Sequence, residues 1–208
     1  ILMYISPNNI DAVVFDFGNV LVEIDFHRVF ARWAQYAQCP VEQIAERYTH
    51  DHHYEKHERG EINAHEYFTA LRKSLNINIS DEQFLDGWNQ VFVSEMPNIR
   101  SVTSQYAALF PIYTFSNSNE SHKAVWLPRY SQLLQPFKQV FVSCDIGKRK
   151  PETDAYLNVA KAIGVEPGRI LLFDDSQQNI EGAQQTGMQV KKVDSVADLQ
   201  TVLHILQE

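Results

Sequence analysis

Four short apolar runs, each ending abruptly in polar side chains, constrain this chain more than any other feature. Ala12-Val13-Val14-Phe15 runs into Asp16-Phe17-Gly18-Asn19-Val20. Pro111-Ile112-Tyr113-Thr114-Phe115 ends in Ser116-Asn117. Residues 137–143, with Val140-Phe141-Val142 at their centre, lead into Lys148, Arg149 and Lys150. Arg169-Ile170-Leu171-Leu172-Phe173 ends in Asp174-Asp175. Apolar, β-branched runs bounded in this way read as buried parallel strands. Ligands of an open α/β sheet sit at the carboxyl ends of its strands. Parallel strands would therefore gather three carboxylates, a hydroxyl, an amide and an ammonium group in one crevice. Such a mixture suits a divalent cation and an anionic ligand together.

The remainder of the sequence supplies the helices. Asp25 caps a helix carrying Phe26, Val29, Phe30, Trp33 and Ala37, and Pro40 ends it. A further helix follows from Val41 through Ile44 and Tyr48. Asn63 with Glu66, and Ser80 with Gln83, are capping-box pairs opening two more, the second carrying Phe84, Trp88, Val91 and Phe92. Residues 24–96 thus read as helical without a convincing strand, which is too long for an ordinary crossover. They are expected to form an inserted helical cap on a core built from residues 1–23 and 97–208. A small extended flap is expected over residues 20–24. Trp33, Trp88 and Phe92 read as cap core. Beyond the insert, helices are expected over 99–109, between Pro151 and Gly164, over 179–186, and from Ser195 with Asp198 through Leu199, Val202, Leu203 and Leu206, with a fifth strand over 190–193. Strand–helix alternation of this kind predicts an α/β fold with a doubly wound parallel sheet.

Net charge and cysteine content narrow the function. The formal net charge of -8 and the lack of a basic block argue against a nucleic-acid partner. They do not argue against a small anionic substrate, because a bound metal and a few local cations can dominate a site. Cys39 and Cys144 form no CxxC pattern and read as reduced thiols of a cytoplasmic protein, Cys144 on the third strand within the core. No run approaches a membrane span, and residues 1–10 carry no secretory-leader pattern, so no membrane partner is expected. His50, His53 and His57 have the spacing of one helical face but no cysteine or fixed carboxylate beside them, so a solvated or substrate-facing surface is expected over a zinc site. Glu58 and Arg59 either face the cleft and contact substrate hydroxyls or form interhelical ion pairs. Lys148 and Arg149 read as solvent-facing.

In order, and separated by a helical insert, the four clusters resemble the haloacid dehalogenase-like hydrolase superfamily over essentially the whole chain. The resemblance rests on Val13-Val14-Phe15-Asp16-Phe17-Gly18-Asn19-Val20, Phe115-Ser116-Asn117, Arg149-Lys150-Pro151-Glu152, and the run from Leu172-Phe173-Asp174-Asp175 to Asn179-Ile180-Glu181-Gly182-Ala183. Together with His57-Glu58-Arg59-Gly60-Glu61-Ile62, these stretches look most like its bacterial α-D-glucose-1-phosphate phosphatases. The resemblance implies a Rossmann-like core, a small phosphorylated substrate and a Mg²⁺ cofactor. Asp16 would be the nucleophile, forming an aspartyl-phosphate and binding Mg²⁺ through its other oxygen. The Gly18 carbonyl and Asp175 would be further ligands, with Asp174 close behind. Ser116 and the Asn117 N–H would hold phosphate oxygens, and Lys150 would neutralise Asp16 against the incoming phosphate.

One departure stands out. Most phosphatases of the superfamily carry a second aspartate two residues after the nucleophile as general acid and base, and this chain has Gly18. An anomeric leaving group, more acidic than an ordinary alcohol, would need less protonation, and water or His57 would serve the second step. Two rivals follow. One is a 2-haloacid dehalogenase-type hydrolase, in which Asp16 attacks carbon without a metal; the Asp174-Asp175 pair argues against it. The other, motivated by Gly18, is a non-catalytic phosphosugar-binding protein.

Overall fold

A computed structural model describes residues 5–207. Residues 1–4, part of the expected core and of the stretch read for a leader, and residue 208, the last of the expected core, lie outside the described residues. Among the described residues there are seven strands: β1 (Ala12–Phe15), β2 (Val22–Ile24), β3 (Phe92–Glu95), β4 (Ile112–Ser116), β5 (Gln139–Val142), β6 (Ile170–Asp174) and β7 (Gln189–Lys192). Five form one parallel sheet in the order β5-β4-β1-β6-β7. The chain runs from β1 outward to β5 on one side, then crosses to β6 and β7 on the other. The reversal lies at β1, and an open sheet leaves its crevice at such a point.

Every residue of β1 is buried, as a strand covered on both faces requires. Its alternation divides the core. Val13 and Phe15 pack with Tyr106, Leu199 and Val202 on one face. Ala12 and Val14 pack with Tyr156, Val159 and Ile180 on the other. Helices therefore cover both faces, and the sheet is doubly wound.

The local signals act as their chemistry requires. Asp25 accepts from the His27 N–H and starts the helix Phe26–Ala37. Asn63 and Ser80 each close a complete capping box, opening Ala64–Leu75 and Asp81–Trp88. Gly164, in the left-handed region, ends Thr153–Ile163; that helix begins after Pro151, with Glu152 at its N-cap.

Two expectations require correction. The stretch over residues 24–96 is not free of strand. The helix opened by Ser80 stops at Trp88, a 3-10 turn covers Asn89–Val91, and Phe92–Glu95 pairs antiparallel with Val22–Ile24. The chain leaves and re-enters the sheet region as a two-stranded ribbon, and pairing with β2 overrides the helical spacing of Val91 and Phe92. Cys144 is not on the third strand. β5 ends at Val142, and Cys144 lies half-buried in the short helix Ser143–Ile146, closed by Gly147 at φ 68°. Both cysteines are free thiols.

The helices between β2 and β3 share one hydrophobic cluster with the sheet. Trp33 stacks on Trp88 at 5.9 Å between ring centroids, Trp88 on His122 at 4.4 Å, and Phe17 meets Trp126 at 4.3 Å. Trp33 and Trp88 are wholly buried. Among the described residues, no helix is long and apolar enough to cross a membrane.

Candidate active site

The sheet register brings the polar strand ends together. Phe15 lies opposite Thr114 on one side and Phe173 on the other, so Asp16, Ser116 and Asp174 emerge at one edge. The Asp16 N–H donates to the Phe173 carbonyl at 2.8 Å, and its side chain lines the crevice. Asp174 is fully buried. Its carboxylate accepts from the Lys150 ammonium at 2.6 Å, from the Asn179 amide at 2.9 and 3.1 Å, and from the Ser176 N–H at 2.9 Å. Lys150, 1 % exposed, donates also to Asp16 Oδ1 at 2.7 Å. The Asn117 side chain clamps the Lys150 backbone: its Nδ2 donates to the Lys150 carbonyl, and its Oδ1 accepts the Lys150 N–H, both at 2.8 Å.

Asp175 accepts from Asn19 Nδ2 at 3.0 Å. Asn19 adopts φ 56°, a left-handed conformation that asparagine tolerates better than most residues, and its Oδ1 accepts the Ile24 N–H at 3.2 Å. Oxygens of Asp16, Asp174 and Asp175 all lie within 4.8 Å of one another.

Three carboxylates therefore gather beside one buried ammonium, which bonds two of them. Burial pushes Asp16 up to about 8, helped by the charges of Asp174 and Asp175 and opposed by Lys150. Burial also raises Asp175, against the hydrogen bond from Asn19. Burial pulls Lys150 down, but Asp16 and Asp174 outweigh it and hold the group above its ordinary value. The charge balance lacks a second cation, and an oxygen-only donor set suits a hard divalent ion. The residues fit Mg²⁺.

A cavity of 360 Å³ opens above this group. Asp16, Ser116, Asn117, Lys150 and Asp175 line it from the sheet side, with Gly18 beside them. His50, Tyr54, Glu55 and Glu58 line it from the helical block. His50 stacks on Tyr54 at 4.3 Å. Glu58, buried, accepts from Arg149 Nε at 2.7 Å. Burial raises Glu58, and Arg149 opposes the shift.

The cleft-facing alternative for Arg59, the solvent-facing reading of Arg149 and a role for His57 in the cleft fail here. Arg59 does not line the cavity; its guanidinium donates to Glu61 and Glu152, each at 2.7 Å. Arg149 is not solvent-facing, its side chain being 15 % exposed and turned onto Glu58. His57 is not on the cleft either. It stacks on Tyr67 at 4.8 Å with Nδ1 3.1 Å from the Ile62 carbonyl, and it borders a separate cavity beside Cys144. His50, His53 and His57 do not converge: the first faces the cleft, the second lies 3.4 Å from Asp51, and the third is buried. Along His52–Glu58 the cleft face falls on Tyr54, Glu55 and Glu58, which leaves His57 off it.

His122 lines the cavity and carried no functional signal in the sequence beyond its place three residues after the N-cap Asn119. It donates from Nε2 to the Trp88 carbonyl at 3.0 Å and accepts from the Asn119 amide at 3.2 Å. Burial pushes its pKa down to about 3, so the ring is neutral.

A family model described as haloacid dehalogenase-like hydrolase matches residues 10–187. The chain is 22% identical to a D-ribitol-5-phosphate phosphatase of Bacteroides thetaiotaomicron over 204 residues, covering 93% of this chain and 97% of the relative. The fold is similar to a predicted HAD-like family hydrolase from Porphyromonas gingivalis, with a TM-score of 0.81, 22% identity, and 96% and 99% of the two chains covered. It is also similar to a HAD family enzyme from Bacteroides thetaiotaomicron in complex with magnesium and inorganic phosphate, with a TM-score of 0.74, 22% identity, and 89% and 95% covered.

Proposed function

This chain belongs to the haloacid dehalogenase-like hydrolases, and from that membership we propose that it is a Mg²⁺-dependent phosphatase cleaving a small sugar or polyol phosphate through an aspartyl-phosphate on Asp16. The observation that carries the proposal is the meeting of the Asp16, Asp174 and Asp175 carboxylates, the first two bridged by the buried ammonium of Lys150.

Asp16, the Gly18 carbonyl and Asp175 would hold Mg²⁺, with Asp174 behind them. When bound, the ion supplies the positive charge that lets two anions meet and that stabilises the transferring phosphoryl group. An Asp16 oxygen attacks phosphorus, the bond to the leaving oxygen breaks, and that oxygen keeps the electron pair and takes a proton from water. Water then attacks phosphorus, the bond to Asp16 breaks, and inorganic phosphate leaves with the carboxylate restored. Ser116 and the Asn117 N–H hold phosphate oxygens, and Lys150 screens Asp16 against the phosphate. Residues 24–96 act as a cap over a core of residues 1–23 and 97–208, excluding bulk water during transfer.

The cap wall supports a neutral polyhydroxyl group beside the phosphate. Glu55 and Glu58 offer acceptors to hydroxyls, Tyr54 and His50 offer ring surface, and Glu58 already balances the charge of Arg149. A second anionic group would meet the two carboxylates of Glu55 and Glu58, which outnumber the one guanidinium, Arg149, that lines the cavity with them. Among such substrates α-D-glucose 1-phosphate ranks first, because its anomeric oxygen leaves with little protonation, and ribitol 5-phosphate second, from the relative. Phosphate release across sugar 1-phosphates, sugar 6-phosphates and ribitol 5-phosphate, with and without Mg²⁺, tests this. The 1-phosphates should be fastest, and equal rates would remove the leaving-group argument. Activity that survives EDTA would favour the dehalogenase-type reaction. Ligand-dependent stabilisation without release would favour a binding protein.

A further inference from the structure

The loop that carries Lys150 is gripped from the cap on both flanks. Arg149, just before Lys150, donates from Nε to Glu58 at 2.7 Å. Glu152, two residues after it, accepts from Arg59 Nη1 at 2.7 Å. Glu58 ends the helix His52–Glu58 and Arg59 is its C-cap, so two successive cap residues hold two residues that bracket the ammonium. The turn that follows lies close against the same region of the core: a Cβ on Gly60 would stand 2.7 Å from the Cys144 carbonyl. Within the core the loop is tied by Asn117 to the Lys150 backbone and by the ion pair of Lys148 with Asp154.

The charges cross in sign. Acid then base on the cap meets base then acid on the loop. Exchanging the partners would pair Glu58 with Glu152 and Arg59 with Arg149, like with like, so the latch accepts one register only. We propose that Glu58 and Arg59 are positioning residues, which act through Arg149 and Glu152 to lock the Lys150 loop when the cap is docked, so that cap closure sets the ammonium between Asp16 and Asp174. The proposal rests on Lys150 being the cation at the reacting phosphate.

The Arg59–Glu152 pair is the clean place to test it, because neither residue lines the cavity. Arg59→Met keeps the stem and removes the charge, Glu152→Gln removes the partner, and Arg59→Lys retains the cation. Two readouts are needed: kcat and KM on a sugar phosphate, and hydrogen exchange of the Lys150 amide, which Asn117 protects. Arg59→Met and Glu152→Gln should each lower kcat about fivefold, as expected for one partly exposed ion pair biasing a docked loop. KM should stay within about twofold, exchange at Lys150 should quicken, the double variant should be no worse than either single one, and Arg59→Lys should restore both readouts. Unchanged exchange in Arg59→Met overturns the proposal whatever the rate does. Faster exchange with raised KM and unaltered kcat also overturns it, since the pair would then serve binding. If the wild-type chain releases no phosphate from any sugar phosphate, the functional reading fails separately, and exchange at Lys150 alone decides whether the latch exists.

Discussion

Gly182 offers a direct test of how tightly the Lys150 loop must be seated. It lies in the helix Gln177–Gln185, and a Cβ there would come within 2.2 Å of the Pro151 carbonyl oxygen and 3.0 Å of its carbonyl carbon. Both are backbone atoms next to Lys150. Ordinary contact distances require the helix and loop to part by about 1 Å in Gly182→Ala. Overpacking of this kind costs about 1–3 kcal/mol, and the better helix propensity of alanine returns about 1 kcal/mol. The net loss is up to about 2 kcal/mol, a fall in Tm of up to roughly 8 °C for a chain of this size. The effect on turnover should be larger than the effect on stability. An ammonium displaced by about 1 Å leaves the reacting phosphate poorly screened, and such misplacement can cost about 100-fold in rate. Thermal melts and phosphate-release kinetics on the same preparation separate the two. Gly164→Ala is the control, at φ +72° with nothing within 4 Å of the added carbon. It should lower Tm through backbone strain and leave kcat unchanged. Wild-type kcat in Gly182→Ala would refute the idea that this packing seats Lys150.

Asp16→Asn should abolish phosphate release while Tm stays within about 2 °C of wild type, because burial already disfavours the charged carboxyl; a grossly unfolded variant would contradict this. Lys150→Met should instead destabilise by about 3–5 kcal/mol, since it leaves the fully buried Asp174, with Asp16 beside it, without the cation between them; a variant as stable as wild type in urea unfolding would refute this. Millimolar Mg²⁺ should raise Tm and EDTA should reverse the rise, and no shift at all would count against the metal site. His122 is held neutral in the fold, down to about pH 3. The unfolded chain gains that proton below about pH 6.5, so stability should fall on acidification between these values, by up to about 1.4 kcal/mol per pH unit. His122→Gln should flatten the slope of urea-derived stability against pH, and an unaltered slope would refute the assignment.

The five parallel strands and the meeting of Asp16, Asp174, Asp175 and Lys150 were legible because strand ends in an α/β sheet are addressed by register. Once Phe15 lies opposite Phe173, Asp16 must stand beside Asp174. Helix starts were equally legible, since Asp25, Asn63 and Ser80 act within three residues of themselves. What could not be read depended on rotation and on distant partners. Tyr54, Glu55 and Glu58 face the cleft while His57 and Arg59 do not, although all are near neighbours, because the tilt of one short helix decides it. Phe92–Glu95 is a strand only because Val22–Ile24 lies beside it. His122 is functionally silent in sequence because its partners, Trp88 and Asn119, are a contact across the fold and a helix cap.

The missing acid at position 18 also has a physical explanation in the fold. A Cβ on Gly18 would stand 3.0 Å from Ile24 Cδ1, so the space into which an aspartate would project is partly filled by hydrocarbon. Ile24 is held there by its N–H bond to Asn19, and the same Asn19 side chain donates to Asp175. One asparagine in a left-handed turn thus orients an acid of the proposed metal site and seats an apolar residue where the resemblance places a proton donor. Among the described residues lining the cavity, His122 is neutral with both ring nitrogens engaged, and Glu58 is engaged by Arg149. Neither is free to replace the lost carboxyl. In the proposed reaction the proton then comes from solvent or from His50 or Glu55 on the cap wall, and a leaving oxygen that needs less protonation is favoured. The ratio of rates on sugar 1-phosphates and 6-phosphates therefore measures how far the Ile24 wall, by excluding an acid, has made substrate choice a matter of leaving-group chemistry.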